Sequence, residues 1–171
     1  MMLVDPFPFT RRETPMFKNL SRFEVTRDSV AELHMRELGP KAILTLAPAT
    51  DANQLYHSNF MKLTAKVRKD ISRGAAVDSE ILETMRNIQR QLFPLFVIRG
   101  WENVEGDPES EGVGEDGMVP YSREAAKELC QQLPDPLFDK LTLAAGAPEN
   151  FYGEEEILPP TPAELDDLAG N

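Results

Sequence analysis

The side chains that could do chemistry are few and scattered. His34 and His57 share no His-x-x-x-His spacing, and the single cysteine, Cys130, has no partner thiol. A zinc site needs three or four such ligands at characteristic spacing, so no metal centre is expected. Cys130 falls on the apolar stripe of an expected helix without an evident base beside it. That pattern marks a small core residue rather than a nucleophile. The many carboxylates fall in loop-like stretches, which cannot hold the fixed separation a general acid–base pair requires. Gly106, Gly112, Gly114 and Gly117 are interleaved with carboxylates that would repel phosphate, so they do not read as a phosphate loop. The chain is therefore read as a non-enzyme with no cofactor and no metal.

Charge narrows the partners. Residues 1–100 carry 15 Lys/Arg against 11 Asp/Glu, and residues 101–171 carry 3 against 18. Lys62, Lys66, Arg68, Lys69 and Arg73 could make one basic helix face. A net charge of −11 would still repel phosphate, so a solvated face is expected and nucleic acid is not a partner. The acidic C-terminal part suits solubility or a basic partner. One cysteine rules out an internal disulfide. No apolar run approaches the roughly 20 residues of a membrane span. The opening Met-Met-Leu-Val-Asp-Pro lacks a basic region before an apolar stretch, so no secretory leader is expected.

The elements that would position these residues are mostly helical. Residues 1–20, with Pro6, Pro8 and Pro15 among Phe7, Phe9 and Phe17, read as an extended N-terminal arm. Phe23 and Val25 give a short alternation. A helix is expected from Thr26 or Asp28, with Val30, Leu33 and Leu38 on one face and Gly39-Pro40 as its stop. The run 42–46 is too short to assign to strand or helix. Tyr56, Phe60, Leu63, Val67 and Ile71 form the stripe of a helix over 51–73, which Gly74 ends. Asp78 or Ser79 caps the next, whose stripe is Ile81, Met85, Ile88 and Leu92; Pro94 kinks or ends it. These two long helices predict a helical hairpin. Residues 105–117 read as a mobile acidic insert. Ser122 caps a helix with Ala126, Leu129, Cys130 and Leu133 inward. Asp135-Pro136 starts the last, which Gly146 closes.

The predicted fold class is mainly α: a small helical domain over 21–151, with at most short β-strands near the N-terminus. An acidic, proline-containing tail over 152–171 is expected to be unstructured when free.

The only tryptophan lies in Gly100-Trp101-Glu102-Asn103-Val104. After the acidic insert come Asp116-Gly117-Met118-Val119-Pro120-Tyr121-Ser122 and a capped helix, then Leu133-Pro134-Asp135 and Asn150-Phe151. Trp101 suits either a core position with its N–H paired or a partly exposed contact residue. This order of parts, over about a third of the chain, resembles the tail assembly chaperones of long-tailed bacteriophages. Gly100, Trp101, Glu102, Val104, Asp116, Gly117, Val119, Pro120, Tyr121 and Ser122 carry the likeness.

The resemblance implies a non-enzymatic protein of the host cell cytoplasm, left out of the mature virion. It would bind the phage tape measure protein and the tail tube protein, and self-association is compatible with it. Candidate contact residues are Phe7, Phe9 and Phe17 of the arm and Tyr56, Phe60, Leu63 and Val67 of the first long helix. The alternatives are a structural virion component, such as a connector or minor tail protein, and an acidic DNA-mimic inhibitor.

Overall fold

The computed structural model describes residues 20–153 and 161–170. They belong to two units. The larger, Val25–Tyr152, contains an antiparallel sheet of β1 (Ala31–His34), β2 (Ile43–Leu46) and β3 (Ile98–Glu102), in the order β1-β2-β3. Its helices are α1 (Gln54–Leu63), α2 (Ala65–Ser72), α3 (Ser79–Phe96), α4 (Arg123–Gln132) and α5 (Asp135–Gly146). The other unit includes the 3-10 turn Leu20–Phe23, Gly153 and α6 (Pro162–Ala169). In it the Gly153 N–H donates to the Arg22 carbonyl at 2.8 Å. Pro162 opens α6, where its missing N–H costs nothing; the sequence reading gave no helix there.

The mainly helical class is thus corrected to mixed α/β, with a strand in the middle of the chain as well as two near its start. The helix expected from Thr26 or Asp28 is absent. Of its expected stripe Val30 is exposed, and Ala31, Leu33 and Met35 alternate instead, with Ala31 opposite Leu46 and Leu33 opposite Leu44 in the ladder. The cross-strand ladder overrides the helix preference of Ala, Glu and Leu. The run around 42–46 is β2.

The inward face of the sheet carries Leu44, Leu46, Ile98 and Trp101, all buried. Against it lie Phe93, Val97, Cys130, Phe138 and Leu141 of the helical layer. Phe93 is the centre: its ring sits 5.8 Å from Tyr56 and 5.4 Å from Phe138. The Ala47 N–H donates to the Val97 carbonyl at 2.7 Å, and the Ala49 N–H to the Ala145 carbonyl at 2.8 Å, so the exit of β2 is tied to α3 and α5.

The expected long helical hairpin is also corrected. The 51–73 helix is two helices, broken at Thr64 (ψ 1°). Thr64 is fully buried; its hydroxyl donates to the Phe60 carbonyl at 2.7 Å and accepts from Arg68 Nε at 3.3 Å. α1 packs against α3, whereas α2 buries no residue. α3 runs through Pro94 to Phe96, capped by the Asp78 carboxylate on the Ile81 N–H at 2.9 Å. Proline inside a helix costs about 3 kcal/mol. Burial of Leu92, Phe93 and Pro94 offsets that cost here. Among the described residues no helix is long and apolar enough to cross a membrane.

Gly39 joins the β1–β2 turn to the end of β3. Its φ is +148°, and a Cβ there would stand 2.8 Å from the Asn103 carbonyl oxygen. Beside it the Glu105 N–H donates to the Leu38 carbonyl at 2.8 Å. Gly39→Ala should therefore cost about 1–3 kcal/mol through backbone strain and crowding. Urea unfolding with an unchanged midpoint would show that the approach is looser than this.

Candidate functional site

The residues around Trp101 form a clasp. Trp101 is 8% exposed, and its indole N–H donates to the Val119 carbonyl at 2.7 Å. Its ring meets that of Tyr121 edge-on, at 5.1 Å and 89°. The Tyr121 hydroxyl donates to the Ile98 carbonyl at 3.0 Å, and the Val119 N–H to the Val104 carbonyl at 2.8 Å. β3 is an edge strand, and this segment occupies some of the polar groups at and beyond its end.

The same segment closes the acidic insert. Glu105 bridges Met118, the Gly106 N–H donates to the Gly117 carbonyl at 3.0 Å, and the Met118 N–H donates to Asp116 Oδ1 at 3.0 Å. Gly117 has φ +78°, a conformation that glycine adopts without a Cβ clash. Ser122 accepts the Ala125 N–H at 3.0 Å and starts α4. Val104 is buried, Glu102 and Pro120 are exposed, and Gly100 lies opposite Thr45. The structure therefore brings most of the motif together, as a structural joint between β3, the insert and α4.

The candidate contact residues divide. Phe7, Phe9 and Phe17 lie outside the described residues. Tyr56 is 3% exposed and stacks on Phe60 at 5.7 Å, so it belongs to the core. Burial pushes its phenol above the ordinary range, opposed by a hydrogen bond from Gln89. Phe60 and Val67 are half-buried, and Leu63 is exposed. Beyond Leu63, Ile71, Val77 and Leu82 also reach solvent along the arm made by the end of α1, α2 and the start of α3 with its preceding connection. Lys62, Lys66, Lys69 and Arg73 on this arm are exposed too. Val77 and Leu82 were missed because they stand off the helical stripes. An apolar residue off its stripe is the signal that would have found them.

The scattered chemistry-bearing residues stay apart. His34 is exposed on β1 and His57 half-buried on α1. Among the described residues no three His, Cys, Asp or Glu converge as a metal site requires. Cys130 is fully buried, and burial pushes its thiol up to about 12, with the Arg90 charge opposing. The thiolate is the reactive form. Cys130 should therefore resist iodoacetamide at mildly alkaline pH in the folded protein and react readily in denaturant. Fast labelling of the native protein, followed by mass spectrometry, would contradict this burial.

Fold and surface together define a small mixed α/β protein with a clasped acidic loop and an apolar, basic helical arm. A family model described as YdaY prophage protein matches residues 52–156. The chain belongs to this YdaY prophage protein family, and is thereby phage-related. The match takes in the arm, β3 and the clasp, and begins after β2. It is to a prophage family and not to the tail assembly chaperone family that the Trp101 segment resembles. Neither the search of curated proteins nor that of solved structures gave a match.

Proposed function

We propose that this prophage-family protein is a non-enzymatic tail assembly chaperone. It acts in the host cell cytoplasm, binds the tape measure protein and the tail tube protein during tail morphogenesis, and is left out of the finished particle. One observation carries this reading: the helical arm leaves Leu63, Ile71, Val77 and Leu82 open to water, from 36 to 58% exposed, among lysines and arginines. Apolar side chains in a charged surround can hold the apolar face of a partner helix while the complex stays in solution. The prophage family and the likeness of the Gly100–Ser122 segment support the phage setting.

Co-expression with the tape measure and tail tube proteins of the same prophage is the test. The soluble fraction of the tape measure protein should rise and the two should co-purify. Leu63→Asp with Leu82→Asp should abolish both effects while leaving the circular dichroism of the free protein unchanged. Failure of a folded wild-type protein to co-purify with either partner removes the chaperone reading. Abundant copies in purified particles would instead make it a virion component.

A further inference from the structure

A groove of about 600 Å³ opens where the start of α1, the end of α3, β3 and the start of α4 meet. Leu55, Pro94, Leu95, Phe96, Ile98 and Tyr121 give it an apolar lining. Leu55, Leu95 and Tyr121 are between 37 and 60% exposed, so this lining faces water. The remaining polar lining is Asn53, Arg99 and Arg123. Asn53 is committed to the fold, donating to the Phe96 carbonyl at 2.9 Å and accepting the Tyr56 N–H at 3.3 Å. The groove lies outside the helical arm and is independent of the function proposed above.

Both arginines are placed against local convenience. β3 pairs Ile98 with Leu46 and Gly100 with Thr45, which leaves Arg99 as the extra residue of a β-bulge. Bulges re-aim a side chain at the cost of ladder regularity. Arg99 donates to the Arg27 carbonyl at 3.2 Å and forms no ion pair among the described residues. Arg123 is the first residue of α4, where a cation meets the positive end of the helix dipole and an acidic residue would be favoured. The Arg123 side chain has neither a hydrogen-bond nor an ion-pair partner among the described residues, and is exposed. Among the described residues no carboxylate lines the groove.

We infer that this groove docks a linear acidic peptide segment of a partner protein, with bulky apolar side chains in the groove and flanking carboxylates on Arg99 and Arg123. The volume lies in the range of roughly 300–1,000 Å³ typical of ligand sites. Guanidinium groups are well suited to carboxylates because they offer paired donors in a fixed plane.

The test uses the full-length protein and a fluorescein-labelled peptide, acetyl-Glu-Glu-Leu-Phe-Glu-Glu-amide, read by fluorescence anisotropy. Saturable binding is expected, weakening as salt rises. Arg99→Glu with Arg123→Glu should weaken it about tenfold or more. Lys41→Glu, away from the groove, should leave it unchanged. Because both arginines are exposed, circular dichroism of the double variant should match the wild type. Amide shifts on titration should cluster at Leu55, Leu95, Ile98 and Tyr121. Absence of saturable binding, equal binding of the peptide with Lys in place of Glu, or full affinity in a folded double variant would each overturn the assignment.

Discussion

Trp101→Ala should lower the folding stability by about 3–5 kcal/mol, the usual cost of emptying a large aromatic site in a core. Three losses add at this position. The ring leaves a cavity on the inward face of β3, beside Leu44 on the neighbouring strand. The Val119 carbonyl loses the indole N–H that now sits at 2.7 Å. The edge-on contact with Tyr121 also goes, and with it part of what holds the Val119–Tyr121 segment to β3. Trp101→Phe keeps most of the ring and removes the donor, so it should cost less, about 1–2 kcal/mol. Trp101 is the only tryptophan, so unfolding has to be followed by far-ultraviolet circular dichroism in urea. A loss below about 1 kcal/mol for the Ala variant would mean that the ring contributes little to the core.

Arg90→Ala should cost about 2–4 kcal/mol, more than an exposed ion pair can account for. The reason lies in the chain that Arg90 faces. The Cys130 carbonyl would ordinarily accept the N–H four residues on, but that residue is Pro134, which has none. Arg90 Nη1 donates to the Cys130 carbonyl instead. Its Nη2 reaches Asp135 Oδ1 at 2.7 Å, and its guanidinium lies 4.4 Å from the centre of the Phe138 ring. One side chain thus closes the end of α4, meets the start of α5 and covers a core aromatic.

The Asp135 pair is solvent-screened, since that carboxylate is 60% exposed, so it supplies the smaller share. The carbonyl and the ring supply the larger one. Arg90→Lys should recover little, because an ammonium cannot present the same planar fork. High salt should leave most of the Arg90→Ala deficit in place. A deficit that vanishes in salt would reduce Arg90 to a surface charge.

Arg86 adds a second link, with Nε and Nη2 each 3.0 Å from Asp139 and Nη1 3.2 Å from Asp135. The Asp139 hydrogen bond raises the Arg86 pKa above its ordinary value. Neither arginine stood out in the sequence, because both sit off the apolar stripe of a helix that reads well without them.

The helices with local signals were legible. Asp78 and Ser122 were readable as caps, and the stripes ending in Leu92 and Leu133 turn inward as their spacing requires. Caps and stripes act within one or two turns, so the chain carries them by itself. The break at Thr64 was not legible, since Tyr56, Phe60, Leu63, Val67 and Ile71 keep helical spacing across it. Burial ends near that point, and spacing cannot say where a stripe leaves the core.

The strands show the limit more sharply. β1 is four residues long, too short for alternation to outweigh the helix preference of its residues. β3 is disguised by its bulge. With Arg99 extra, Ile98 and Trp101 both point inward although they are three residues apart. That is the spacing of a helix face, not of a strand.

The candidate surfaces follow the same division. The sequence alone determined the basic run of α2, the acidic insert with its Asp-Gly turn, and the segment around the lone tryptophan. Only the tertiary structure decided that Tyr56 is core while Leu63 is surface, and that Leu55, Leu95, Arg99 and Arg123 line one groove. Those residues come from four elements, of which only α3 and β3 are consecutive in the chain, and no local preference encodes their meeting. It arises when three strands pair and the helices close over their inward face, a cooperative result of burying apolar area that no single segment can bury alone.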